Sequence, residues 1–181
     1  MNTPPKPQLR ANSRLLPLLV GILVVMQLIA PYQGWLMMLI GLGGLWLINY
    51  LWAWALAYSL HLEREMRFGW AHVGDHLEER FTLINRGAVP ALWVEIIDHS
   101  TVPDYRASRA TGVDSNSQNR WYTKGVCTRR GVFTLGPTTL RSGDPFGLFT
   151  VTLYYPESIP LTVTPPIVPL PAIEVAPGGR A

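Results

Sequence analysis

The sequence predicts a two-helix transmembrane hairpin followed by an all-β domain, an immunoglobulin-like β-sandwich. Three observations predict it. Residues 15–60 contain no Asp, Glu, Lys or Arg. That stretch is interrupted once, by Pro31-Tyr32-Gln33-Gly34, whose Pro and Gly supply turn chemistry. Beyond it, short runs of β-branched and aromatic residues alternate with polar ones and are bounded by Gly, Asn, Asp and Pro.

One membrane crossing needs about 20 apolar residues, so the uncharged stretch divides into two helices, over about 15–31 and 35–56. The first is short, at about 24 Å by the helical rise. Pro17 is tolerated there because its missing N–H falls in the first turn. Trp35 and Trp52/Trp54 bracket the second helix as interfacial aromatics do. Asn49, its one strongly polar interior residue, is expected to bond to the first helix or to lie near the headgroups. Gly41, Gly43 and Gly44, with Ala53 and Ala57, are expected to bring the two helices close. A basic start and an apolar run also suit a cleaved signal. Leu28 at the −3 position before Ala30, Pro31 directly after it and the second apolar segment argue against cleavage.

Residues 1–14 form a basic tail in which Lys6, Arg10 and Arg14 meet no acid; the other twelve basic residues face twelve acidic ones. The net charge of +3 therefore describes the tail and offers no nucleic-acid surface. Arg64 and Arg67 follow the second helix, and the turn between the helices is uncharged. The positive-inside rule then predicts a multi-pass protein of the inner, cytoplasmic membrane with both termini in the cytoplasm and the lipid bilayer as its first partner. A single cysteine, Cys127, permits neither an internal disulfide nor a thiolate metal site.

The β-domain is expected over residues 61–166. A first strand lies near Glu63 to Phe68, then Leu77 to Ile84 and Leu92 to Ile97. Further strands are Trp121 to Thr128, Gly131 to Leu135, Thr138 to Arg141, Leu148 to Tyr154 and Pro160 to Thr164. Between Asp98 and Arg120 the polar composition predicts a long exposed loop. Residues 167–181 are Pro-rich and end in Pro177-Gly178-Gly179-Arg180-Ala181, the composition of a linker, here truncated.

Three groups of residues carry a family resemblance. Gly74-Asp75 is followed by Phe81-Thr82-Leu83-Ile84-Asn85-Arg86-Gly87 and Trp93-Val94-Glu95. Next comes Arg130-Gly131-Val132-Phe133-Thr134-Leu135-Gly136-Pro137, then Asp144-Pro145-Phe146-Gly147-Leu148-Phe149. In this order, after two apolar helices, they resemble the N-terminal half of the bacterial family called domain of unknown function 58. The resemblance covers about residues 15–172. It implies a membrane-anchored protein encoded beside MoxR-type AAA ATPases, and often beside transglutaminase-like membrane proteins. It also implies a C-terminal half like a von Willebrand factor A domain, before which this sequence stops.

The motif residues read as structure. In Asp144-Pro145-Phe146-Gly147-Leu148-Phe149, Asp bonds its own backbone, Pro fixes φ and Gly permits a positive φ, so the run makes a tight turn. Asn85-Arg86-Gly87 closes a strand, and Arg130-Gly131 and Gly136-Pro137 bound another. No cofactor is expected. Cys127 lies beside Arg129 and Arg130, charges that would lower a thiol pKa, but nothing places His61, His72, His76 or His99 beside it as a base. His72 and His76 are separated by the turn signal Gly74-Asp75, which argues against a metal pair. Asp114-Ser115-Asn116-Ser117 departs from the metal motif of von Willebrand A domains at two positions and reads as loop. The expected function is that of a membrane-anchored, non-enzymatic scaffold. Through the resemblance, its partners are a MoxR-type AAA ATPase and other membrane proteins, in envelope complex assembly. The alternatives are an outward-facing ligand- or glycan-binding module and a cysteine-dependent enzyme.

Overall fold

The uncharged stretch folds as two antiparallel helices. In the computed structural model, which describes residues 6–66 and 69–165, α1 spans Leu15–Ile29 and α2 spans Gln33–Ser59. Ser13 Oγ accepts the Leu15 N–H at 3.3 Å, and the Ala30 N–H closes α1 on Met26 O at 2.9 Å. By length and composition α2 is long and apolar enough to cross a membrane; α1, at 15 residues, is shorter. Asn49 does not reach α1. It is buried, and its Nδ2 donates to Leu45 O, one turn back in its own helix, at 2.7 Å. A Cβ built on Gly41, Gly43 or Gly44 would meet nothing within 4 Å, so these glycines are not points of close helix approach.

Among the described residues, eleven strands follow the chain order around these helices: β1 (Pro7–Ala11), β2 (Leu60–Met66), β3 (Trp70–His72), β4 (His76–Asn85), β5 (Ala91–Asp98), β6 (Arg109–Val113), β7 (Ser117–Val126), β8 (Gly131–Leu135), β9 (Thr138–Gly143), β10 (Phe149–Tyr155) and β11 (Ile159–Thr164). They form a five-stranded sheet, β1-β10-β9-β5-β6, and two three-stranded sheets, β2-β4-β7 and β3-β11-β8. Among the described residues all pairings are antiparallel except β3 with β11. The domain is a β-sandwich, with inward-facing residues such as Phe81, Leu83, Val94, Ile96, Leu140, Val151 and Leu153 making its core.

Two expectations about the chain's course change. Residues 7–11 are not part of a tail: they pair with β10, from Pro7 opposite Leu153 to Ala11 opposite Phe149. No apolar run announces this edge strand, because three of its five residues are exposed. The segment from Asp98 to Arg120 is likewise not a long exposed loop. Val102, Tyr105 and Ala107 are buried in it, β6 occupies its middle and β7 its end. The expected linker, residues 167–181, lies outside the described residues.

The strand directions give the domain two distinct ends. Ala11, Leu60, Asn85, Ala91, Val113, Ser117, Gly143 and Phe149 meet at one end, where α1 begins and α2 finishes. The last part of α2 belongs to the sandwich. Trp46 and Tyr50 lie against Phe149, and Ala53, Leu56 and Ala57 join the domain core. Ser59 O then accepts the Arg86 N–H at 3.0 Å. At the opposite end, β11 finishes at Thr164 beside His72.

Candidate functional site

The hairpin end is where most of the motif residues gather. Asn85 is buried in the turn after β4. Its Nδ2 donates to Val89 O at 2.9 Å and Asp114 O at 3.0 Å, and its Oδ1 accepts the Gly87 N–H at 3.0 Å. Gly87 is required by close approach, since a Cβ there would come within 2.7 Å of Ser59 Cβ. The turn thus locks the end of α2 onto the sandwich. Arg86 is exposed and borders a shallow groove of about 430 Å³ with Ile84, Asn116, Ser117 and Gln118.

The Asp144 turn connects β9 to β10 at the same end. Asp144 is fully buried, and its carboxylate accepts three backbone N–H groups: Phe146 at 3.0 Å, Leu148 at 3.1 Å and Phe149 at 2.5 Å. Gly147 takes φ +70°, the left-handed region. Phe149 is in the core, Leu148 packs against it, and Phe146 projects into solvent. Asn12, just before α1, donates to Gly147 O at 2.9 Å, so the root of the hairpin is tied to this turn. Arg130, Gly131, Gly136 and Pro137 do not join this end. Arg130 precedes β8, Gly131 opens it, and Gly136-Pro137, a cis peptide, follows its last residue, Leu135.

A buried polar cluster that the motifs do not include lies inside the sandwich. Arg64 on β2 forks onto Glu79 of β4, with Nε to Oε1 at 2.8 Å and Nη2 to Oε2 at 2.7 Å. Its Nη1 reaches Asp98 Oδ1 on β5 at 2.8 Å and Thr138 Oγ1 on β9 at 3.1 Å, and Nη2 reaches Ser100 Oγ at 3.1 Å. Tyr105 donates its hydroxyl proton to Glu79 Oε2. The guanidinium also lies 5.1 Å from the Phe81 ring centroid. One side chain therefore joins the β2-β4-β7 sheet to the five-stranded sheet and holds the 99–108 segment down. Burial works against the Arg64 charge, but Glu79 and Asp98 hold its pKa above the ordinary value. Burial, then the bond to Glu79, pushes the Tyr105 hydroxyl far up. A sequence signal existed. Arg64 and Glu79 fall in the inward register of strands whose other inward residues include Leu60, Leu62, Leu77, Phe81 and Leu83.

Cys127 is buried, with its backbone N–H on Asp75 O at 2.9 Å. Burial and then the nearby Asp75 charge raise its thiol pKa, the direction opposite to an activated nucleophile. His72 Nδ1 lies 2.7 Å from Thr164 Oγ1. Among the described residues no three His, Cys, Asp or Glu side chains converge as a metal site. Asp114-Ser115-Asn116-Ser117 makes the β6–β7 turn, with Asn116 at φ +48°.

These features define a β-sandwich domain with a helical hairpin rooted at one end. No family model matches the chain, and no curated protein matches it. Among solved structures it is similar to the CARDB domain of a Pyrococcus furiosus protein in complex with di-metal ions. That likeness has 8% identity and a TM-score of 0.41 over 60% of this chain and 96% of that one. It is similar to one chain of the complex formed between zinc 2-glycoprotein and prolactin inducible protein from human seminal plasma, at 10% identity and a TM-score of 0.43 over 56% of this chain and 92% of that one. A Listeria innocua β-glucosidase is similar at 8% identity and a TM-score of 0.40, covering 59% of this chain but 16% of the enzyme. At these scores no functional weight attaches to the likenesses, and the sandwich rests on the strand pairing above.

Proposed function

We propose that this chain is a membrane-anchored, non-enzymatic scaffold. In this reading α1 and α2 enter the bilayer, and the sandwich, immunoglobulin-like in architecture, makes protein contacts in the cytoplasm. One observation carries the anchor. Around α1 and the first half of α2, apolar side chains such as Leu18, Ile22, Leu28, Met37 and Ile40 face outward with no charge among them. A surface of that kind is costly in water and suited to lipid. The pairing of β1 with β10 supports same-side flanks, because the segment before α1 and the domain after α2 share one sheet. The basic residues Lys6, Arg10, Arg14 and Arg64 favour the cytoplasmic side. The resemblance to domain of unknown function 58 adds the expectation of a MoxR-type AAA ATPase as partner in envelope complex assembly.

Alkaline carbonate extraction tests the anchor: the chain should stay with the membranes, and release into the aqueous fraction refutes it. Protease accessibility of the segment after Leu60, compared in intact cells and spheroplasts, tests sidedness. Cleavage in intact cells would favour the outward-facing binding module instead. A pull-down from full-length protein should recover the ATPase, and repeated failure would remove that partner.

A further inference from the structure

The hairpin arm is shorter than the lipid it must cross. α1 has 15 residues, about 22 Å at the helical rise, against a hydrocarbon core of about 30 Å. Beyond α1, the lower half of α2 keeps one face on the sandwich and turns Leu51, Trp54 and Tyr58 outward. The sandwich itself surrounds the hairpin root with exposed apolar side chains. Leu92 and Trp93 stand in the register break between β5 and β6, 59% and 38% exposed. Phe146, at the tip of the Asp144 turn, is 69% exposed. These sites adjoin one another: a Cβ on Gly143 would come within 2.9 Å of Trp93 Cζ2, and Gly143 leads into the Phe146 turn. The charges of this end suit an anionic surface. In segments 12–14, 86–92, 114–117 and 143–148 the basic residues are Arg14 and Arg86. The acids are Asp114 and Asp144, and Asp144 is buried.

We propose that the hairpin end of the sandwich docks on the bilayer that the hairpin enters. Leu92, Trp93 and Phe146 sit at the headgroup–acyl boundary, and Arg86 lies against anionic headgroups. The proposal rests on the anchor reading. It is chosen over a protein partner because the patch is continuous with the apolar hairpin and because exposed aromatics at a hairpin root, with exposed Arg14 and Arg86 at the same end, are the chemistry of a membrane interface. Docking fixes the orientation of the domain, so that Thr164, at the opposite end, points away from the membrane.

The test uses the full chain in liposomes of phosphatidylcholine and phosphatidylglycerol, with nitroxide labels on single introduced cysteines. Native Cys127 is buried and serves as the unlabelled background. Leu92→Cys and Phe146→Cys probe the patch, and Ile40→Cys the hairpin; Ser158→Cys, just past the end of β10 where Tyr155 lies opposite Thr138, probes the far end. All four positions are exposed, so the substitutions leave the core intact. Labels at 92 and 146 should be at least several-fold more accessible to oxygen, relative to a water-soluble nickel chelate, than the label at 158. If 92 and 146 match 158 while 40 reads as lipid, docking is overturned and the anchor stands. If 40 also reads as water, the anchor fails and docking fails with it.

Discussion

Helix α1 buries Leu23 among its 15 side chains, whereas strand β4 buries Leu77, Glu79, Phe81, Thr82, Leu83 and Asn85. The two regions dispose of polarity in opposite ways. The hairpin turns apolar groups outward and satisfies its backbone within its helices, as the proposed lipid surroundings would require. The sandwich turns apolar groups inward and places Arg64, Glu79 and Asp98 among them. Buried charges of that kind are tolerable only when each is paired and hydrogen-bonded. The hairpin therefore depends on its surroundings, and the sandwich on one internal network. Substitutions in the network should destabilise the domain without altering the apolar surface of the helical hairpin.

Glu79→Ala should have the largest effect. It leaves the Arg64 fork and the Tyr105 hydroxyl without their shared acceptor. The expected loss is about 3–5 kcal/mol, the cost of breaking a buried pair. Thermal unfolding in detergent micelles should then show a fall on the order of 10 °C. Carbonate resistance should be unchanged. A shift smaller than a degree or two would mean that Arg64 finds equivalent partners in Asp98, Ser100 and Thr138, and that the network is not what joins the sheets.

Asp144→Ala comes next. Three backbone N–H groups lose their acceptor in a buried turn, which should cost about 3 kcal/mol. Asp144→Asn keeps one acceptor oxygen and should fall between the two. Because Asn12 ties the hairpin root to this turn, limited proteolysis should show new cleavage near residues 144–149. An unchanged digestion pattern would show that β9 and β10 hold the turn by themselves.

What the sequence revealed follows the same division. The hairpin was legible because absence of charge over 15–60 is a strong signal, and α1 and α2 begin within two residues of the expected positions. β8 was legible to its ends because Arg130-Gly131 and Gly136-Pro137 bound it. β1 and β6 were not, since both are five-residue, mostly exposed strands, and β1 carries one large apolar side chain, Leu9, in a segment whose basic residues read as a tail. The stretch from Asp98 to Arg120 reads as an exposed loop because its composition is polar, yet Val102, Tyr105 and Ala107 within it are buried. Its burial comes from long-range partners, Arg64 to Ser100 and Glu79 to Tyr105, that no local pattern records. Asp144 was legible as a turn residue, but not its burial or its three bonds.

The smallest effect asks whether the network holds the 99–108 segment through Tyr105 in particular. Tyr105→Phe removes one hydroxyl and leaves Glu79 its two bonds from Arg64. The expected loss at neutral pH is about 1.5–3 kcal/mol, the contribution of a hydrogen bond to a charged group. A second readout comes from pH. The folded tyrosine has its pKa raised above the ordinary 10.0, first by burial, so the unfolded chain gives up that proton first as pH climbs. Wherever the folded state holds more protons, stability falls with rising pH. The buried Cys127 thiol, raised above 9.0, acts in the same direction from a lower pH. The wild-type protein should therefore lose stability progressively above pH 9 and more steeply above pH 10. Tyr105→Phe should flatten the upper part of that decline, and Cys127→Ala the lower part. If Tyr105→Phe lowers stability at pH 7 but keeps the wild-type slope above pH 10, the hydroxyl contributes by packing, and its bond to Glu79 does not govern the alkaline limb.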